Sequence, residues 1–185
     1  MEPDYISEIT AVFTTANARV RLYEMLEWLD PSQLCYCDTD SVIFIYDSTN
    51  PKHRAPTNSE SSPKPVKFGS ALGEWTDELK GEWIIELIIG GAKSYAYVTN
   101  KGKTVIKQKG ITLDRANSSL VNFETMKDMI LNDKNITSEK RYQFRWSNET
   151  KDITTAFIGK SIRSTIGEKR GIDGYDTLPF GYQMD

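Results

Sequence analysis

Apolar positions between residues 11 and 29 recur at Phe13, Ala16, Val20, Tyr23, Leu26 and Leu29. This is helical spacing, and it predicts a helix with that one face buried. Pro31 pushes Asp30 out of the helical region and ends the helix. Two short apolar runs follow at once, Leu34-Cys35-Tyr36 and Val42-Ile43-Phe44-Ile45, separated by the polar step Cys37-Asp38-Thr39-Asp40-Ser41. Short β-branched and aromatic runs flanking a polar step predict a buried β-hairpin. A helix running directly into a buried hairpin predicts an α+β fold, with the helix covering the back of an antiparallel sheet.

Residues 48–69 hold Pro51, Pro56, Pro63 and Pro65 among many Ser and Asn residues, which predicts a flexible loop or insertion. His53, the sole histidine, falls inside it and reads as incidental rather than as a catalytic base. Asp77-Glu78 reads as a solvated pair on an amphipathic helix. Trp83-Ile84-Ile85-Glu86-Leu87-Ile88-Ile89 predicts a strand, and Gly90-Gly91 a tight turn or a close backbone approach. Tyr95-Ala96-Tyr97-Val98 and Thr104-Val105-Ile106 predict further strands around the turn Asn100-Lys101-Gly102. Residues 119–132 read as a helix with Leu120, Phe123, Met126, Met129 and Ile130 on one side, and 140–146 and 156–166 as strands.

The polar step carries the chemistry. Two aspartates at the tip of a buried hairpin are costly unless their charge is compensated. A divalent cation compensates it well, because carboxylate oxygens are preferred ligands of Mg²⁺. The competing reading is a surface hairpin in which the Asp side chains only shape the turn. Net charge, −3, does not announce a nucleic-acid binder, but its distribution is uneven. Residues 1–48 carry −7, residues 93–115 carry +5 and residues 151–170 carry +3. A basic stripe downstream of an acidic hairpin suits a protein that holds metal at one place and phosphates at another. A solvated, charged strand pair accounts for the same stripe without a ligand. Lys93 and Tyr95 are two apart and would share a strand face, as would Lys107 and Lys109.

The string Tyr36-Cys37-Asp38-Thr39-Asp40-Ser41 between apolar strands resembles the palm-domain metal motif of family B DNA polymerases. Residues 14–24 resemble the helix that precedes this hairpin in the family, and Lys93-Ser94-Tyr95 its Lys-x-Tyr motif near the primer strand. Lys107-Gln108-Lys109-Gly110-Ile111 resembles the step into the thumb. Lys169-Arg170 and Asp176-Thr177-Leu178-Pro179-Phe180-Gly181-Tyr182 resemble the carboxyl terminus of protein-primed polymerases from Polinton-type elements and related viruses. The resemblance implies a partial palm domain over residues 1–98, with 48–69 as its flexible insertion, and a mostly β thumb-like region over 99–185. It implies template-directed transfer of nucleotides from dNTP to a primer hydroxyl, with Asp40 the principal and Asp38 an auxiliary ligand of Mg²⁺. Tyr36, Thr39 and Ser41 would orient the turn. Lys93, Tyr95, Lys107 and Lys109 would contact primer-template DNA, and Gly110 would let the backbone approach the duplex. A terminal priming protein is a further implied partner.

The chain departs from the family pattern. The earlier Asp-containing motif followed by a Ser-Leu-Tyr-Pro-like run has no match, nor do the Asn-Ser-x-Tyr-Gly-type nucleotide motif and the exonuclease. With 185 residues the chain corresponds to the carboxyl-terminal third or less of such an enzyme, and is expected to be inactive alone. The alternative is a non-catalytic nucleic-acid-binding remnant of a polymerase.

Gly159-Lys160-Ser161 resembles the tail of a phosphate-binding loop, but Thr154 stands where that pattern requires Gly. Cys35 and Cys37 are two apart, and on a strand they point to one face and do not easily bridge to each other. They read as buried thiols in a reducing intracellular compartment, the nucleus or a viral replication site. No apolar run approaches the roughly 20 residues that span a membrane.

Overall fold

The computed structural model describes residues 7–54 and 66–165, and the backbone of 171–173 and 176–178. The chain divides into two compact units, Met1–Gly81 and Glu82–Asp185. Both mix helix with antiparallel sheet, an α+β composition.

In the first unit, helix α1 spans Glu8–Trp28 and is capped by Ser7, whose hydroxyl oxygen accepts the Thr10 N–H at 3.2 Å. Leu29 and Asp30 are extended, and Asp30 caps a 3₁₀ turn over Pro31–Gln33. Strand β1 (Leu34–Asp38) then pairs antiparallel with β2 (Ser41–Phe44). The core gathers Met25, Trp28, Leu29 and Val66, with Val42, Phe44, Phe68 and Trp75 against it. Trp28 and Phe68 meet edge to face.

The helix exists where its periodicity predicts it, but the expected continuous buried face does not. Phe13 is 64% exposed, Val20 54% and Tyr23 63%, and only the carboxyl-terminal turns are covered. The described core residues of this unit pack at that end, and the rest of a 21-residue helix runs past them. The hairpin is likewise half-buried rather than buried, with Leu34 and Cys37 exposed.

What seats the hairpin is Gln33, whose side chain is 0% exposed. Its Nε2 donates to the carbonyls of Ile45 (2.9 Å) and Arg54 (3.1 Å). Its Oε1 accepts the N–H groups of Arg54 (2.7 Å) and Asp30 (3.3 Å). One amide therefore ties together the 3₁₀ turn, the exit of β2 and the chain returning at Arg54. The stretch expected to be a flexible loop is anchored at both described ends, by these bonds at Arg54 and by Val66 in the core. Residues 55–65 lie outside the described residues. Asp77-Glu78 is not helical. Asp77 closes a turn instead, accepting the N–H groups of Leu79 and Gly81, both at 2.9 Å.

The second unit is built on an antiparallel meander: β3 (Ile84–Gly91), β4 (Ser94–Thr99) and β5 (Thr104–Gln108). Position 98/99, the expected limit between palm-like and thumb-like parts, falls within β4. The expected helix over 119–132 is two, α2 (Arg115–Leu120) and α3 (Phe123–Leu131). Asn122 interrupts them as the cap of α3, accepting the Thr125 N–H at 3.0 Å. Val121, Phe123, Met126 and Met129 pack on Ala96 and Ile162, with Ile88, Val98 and Ile106 beside them. Two short strands, β6 (Ile136–Thr137) and β9 (Ser161–Ile162), pair with each other. Between them stands the hairpin of β7 (Arg141–Trp146) and β8 (Ile153–Ile158). The single strand expected over 156–166 is broken at Gly159-Lys160 into β8 and β9. Strands β10 (Gly171–Asp173) and β11 (Asp176–Leu178) close the described chain as an antiparallel pair.

Replacing Gln33 by Leu keeps the volume but strands buried backbone groups. The substitution should lower unfolding free energy by about 2 kcal/mol or more, read as a reduced urea midpoint at unchanged slope. A midpoint within error of the parent chain would show that the amide does not seat the hairpin.

Candidate functional site

Asp38 is the last paired residue of β1, facing Ser41 across the hairpin, and Thr39-Asp40 form the two-residue turn. The Thr39 N–H donates to Asp38 Oδ1 at 2.8 Å, and the Thr39 hydroxyl to the same oxygen at 3.1 Å. Asp38 thus shapes its own turn, while its side chain is half-buried and that of Asp40 is exposed. Tyr36 is half-buried opposite Ile43. An exposed tip removes the desolvation cost that made a compensating cation necessary on sequence grounds. The donor chemistry remains that of a hard cation: two carboxylates and a hydroxyl on three successive residues. Among the described residues, no third His, Cys, Asp or Glu joins Asp38 and Asp40 in a cluster. The tip therefore fits one arm of a metal site.

The register shifts between Leu34 and Tyr36, so Cys35 sits at a bulge. The bulge breaks the alternation that would put both cysteines in one environment. Cys35 is half-buried, and burial pushes its thiol up. Cys37 is exposed, contrary to the expected pair of buried thiols.

The cationic residues belong to the second unit. Lys93 is not on a strand with Tyr95. It lies in the turn between the paired residues Gly91 and Ser94, in the left-handed region at φ +58°. That turn is forced by Gly91, whose φ of +130° excludes side chains and whose added Cβ would stand 2.1 Å from Thr165 Oγ1. The Gly90 carbonyl accepts the Thr165 N–H at 2.8 Å, so the predicted close backbone approach is present here. Tyr95 pairs with Lys107 across β4 and β5, on the sheet face opposite to that packed on α3. The rings of Tyr95 and Tyr97 stack on that face, 6.4 Å apart and 8° from parallel. Lys109 lies just beyond β5, and its N–H donates to the Lys93 carbonyl at 2.8 Å. Lys93, Tyr95, Lys107 and Lys109 are thereby gathered at one end of one sheet. Gly110 follows with φ +78° and open space where a Cβ would go, so its requirement is conformational rather than steric. Lys160, set aside with the failed phosphate-loop pattern, donates to the Gly110 carbonyl. Its 50-residue separation left no local signal for that contact.

His53 has a defined place in the first unit. Its Nδ1 accepts the Asp47 N–H at 3.0 Å, which leaves the proton of the neutral ring on Nε2, 3.3 Å from Ser32 Oγ. The Ser32 hydroxyl donates to Asp30 Oδ1 at 2.6 Å. That hydroxyl and the Ser32 N–H hold the Asp30 carboxyl below its ordinary range. With its proton facing Ser32, His53 is a bracing group and not a base for that hydroxyl.

No family model, curated protein or solved structure matches the chain. Among the described residues, no helix is long and apolar enough to cross a membrane. Residues 169–170 and 179–182, which carry part of the polymerase resemblance, lie outside the described residues, and of 176–178 the backbone alone is described.

The bulge makes the two thiols unequal. Cys37 should react with a thiol-specific disulfide reagent at neutral pH at least about tenfold faster than Cys35, because the thiolate is the reactive form and burial suppresses it at Cys35. Comparable rates in Cys35→Ser and Cys37→Ser chains would contradict the bulged register.

Proposed function

We propose that the chain is the carboxyl-terminal palm-and-thumb part of a family B, protein-primed DNA polymerase. In this reading Asp40 and Asp38 hold Mg²⁺, and Lys93, Tyr95, Lys107 and Lys109 hold primer-template DNA. One observation carries it. Residues 36–41 form a tight hairpin with one aspartate at its last paired position and the other in its turn. Two carboxylates so spaced can reach one cation from a surface open to a triphosphate. The gathering of the cationic residues around Tyr95 supports the same reading.

Bound cations would neutralise the triphosphate and favour the deprotonated primer hydroxyl. Asp40 would contribute charge at the tip, and Thr39 would hold Asp38 in orientation through the two bonds to Oδ1. Lys93, Lys107 and Lys109 would meet backbone phosphates without reading sequence. The fold would then be a helix-backed palm sheet followed by a thumb, with dNTP and a terminal priming protein as further partners.

A non-catalytic nucleic-acid-binding remnant is the second reading. It is favoured by the commitment of Asp38 Oδ1 to its own turn.

In a polymerase that supplies the missing Asp-containing motif, Asp40→Asn should cut primer extension by at least about 100-fold, beyond the usual cost of losing a residue that only supports a metal ligand. Primer-template affinity should stay nearly unchanged. Asp38→Asn should be milder, and residues 1–185 alone should not extend a primer. Single-turnover extension with both variants decides the ranking, and full activity of Asp40→Asn would sink the metal assignment.

Lys93→Ala and Lys107→Ala should each weaken duplex binding by residues 1–185 and flatten its salt dependence by roughly one counterion. Titrations against salt, with Lys52→Ala as control, read this directly. Slopes equal to the control would reduce the stripe to a solvated face.

A further inference from the structure

The β7–β8 hairpin carries a surface that the reading above does not use. Tyr142, Phe144 and Trp146 occupy alternate positions of β7, and their cross-strand partners are Phe157, Thr155 and Ile153. Alternation puts all six on one face. That face is open: Tyr142 is 75% exposed, Phe144 84% and Trp146 59%.

Hairpin stability accounts for part of it. Tyr142 and Phe157 are a cross-strand aromatic pair with ring centroids 4.9 Å apart, the kind of contact that stabilises an isolated two-stranded ribbon. It does not account for Phe144, which stands opposite Thr155 and is the most exposed of the three. Nor does it call for three aromatic residues in succession on one strand. Successive rings along such a strand are about 6.8 Å apart, leaving each with a face on which a flat group can lie.

Charge selects the occupant. Residues 140–158 carry four basic and two acidic side chains, +2 in a chain of −3. Neither acidic residue is on a strand, whereas Arg141 and Arg145 both lie on β7. Arg141 is paired to Asp114 at 3.0 Å, and Arg145 is exposed, on the opposite face of the ribbon by the same alternation. Flat apolar faces at regular intervals on a ribbon of net positive charge suit a polyanion with unpaired bases. Duplex DNA offers no base face to such a strand.

We propose that the β7–β8 hairpin is a stacking platform for single-stranded DNA, with Phe144 and Trp146 under successive bases. The choice of DNA rests on the polymerase reading, whereas the stacking surface stands on its own geometry.

The test uses residues 1–185 with a fluorescently labelled oligothymidylate and, separately, a duplex. Phe144→Ala and Trp146→Ala should each weaken oligothymidylate binding roughly 5- to 150-fold. Leu131→Ala, an exposed apolar residue off the hairpin, should leave it unchanged. Because both aromatic side chains are exposed, the thermal midpoint should hold. If Phe144→Ala nevertheless unfolds, Phe144→Leu keeps the apolar bulk, removes the ring and should lose affinity similarly. Unchanged affinity in both ring variants, or no oligothymidylate binding by the parent chain, would overturn the platform. So would self-association in sedimentation that Phe144→Ala abolishes while oligonucleotide affinity stays intact. Tight binding of the single strand with no duplex binding would sink the polymerase reading and leave the platform standing.

Discussion

In the first unit, the placing of the Asp38–Asp40 tip depends on a single buried amide. Gln33 meets four backbone groups from three segments. A buried amide is favourable only when all its bonds are made, and here two are donated and two accepted. The consequence is geometric. The strand begins one residue after Gln33 and runs five residues to Asp38, so any tilt at the amide is carried to the tip. His53, Ser32 and Asp30 brace the same corner from the solvent side.

The second unit solves a different problem, a three-stranded sheet with unequal faces. One side of β4 buries Ala96 against Met126 and Met129, and the other presents the stacked Tyr95 and Tyr97 with Lys107 beside them. Gly90 and Gly91 let a distant segment at Thr165 close against the end of the sheet, where a side chain at Gly91 would collide with it. The same glycine turns the chain so that Lys93 is in a loop and not on a strand. The cationic cluster is therefore a property of a turn, a strand and a strand exit that converge on one sheet end.

Exposure governs the electrostatics of both candidate surfaces. At the aspartate tip, solvent already satisfies the charge, so cation affinity must come from the number and geometry of ligands rather than from relief of burial. At the sheet end, Lys93, Lys107 and Lys109 are all exposed, so their attraction for phosphates is screened by salt and acts through counterion release. The aromatic ribbon is the one surface of the three whose chemistry does not depend chiefly on charge.

Much of this is legible in the chain itself. Period-3.6 and period-2 patterns specify local conformation, which is why α1, the 38–41 hairpin, the meander and the buried side of α3 follow from the residues. Proline at 31 and the glycines at 90 and 91 mark breaks for conformational reasons that need no partner. What periodicity cannot supply is which apolar face finds another to cover it. The face of α1 through Phe13, Val20 and Tyr23 reads like the face of α3 through Phe123, Met126 and Met129, yet the first is exposed and the second buried. The bulge at Cys35 and the contact of Lys160 with Gly110 were equally out of reach. Each depends on residues brought together across strands or across long stretches of chain. A sequence pattern states which side chains share a face, and only tertiary packing decides what, if anything, lies against it.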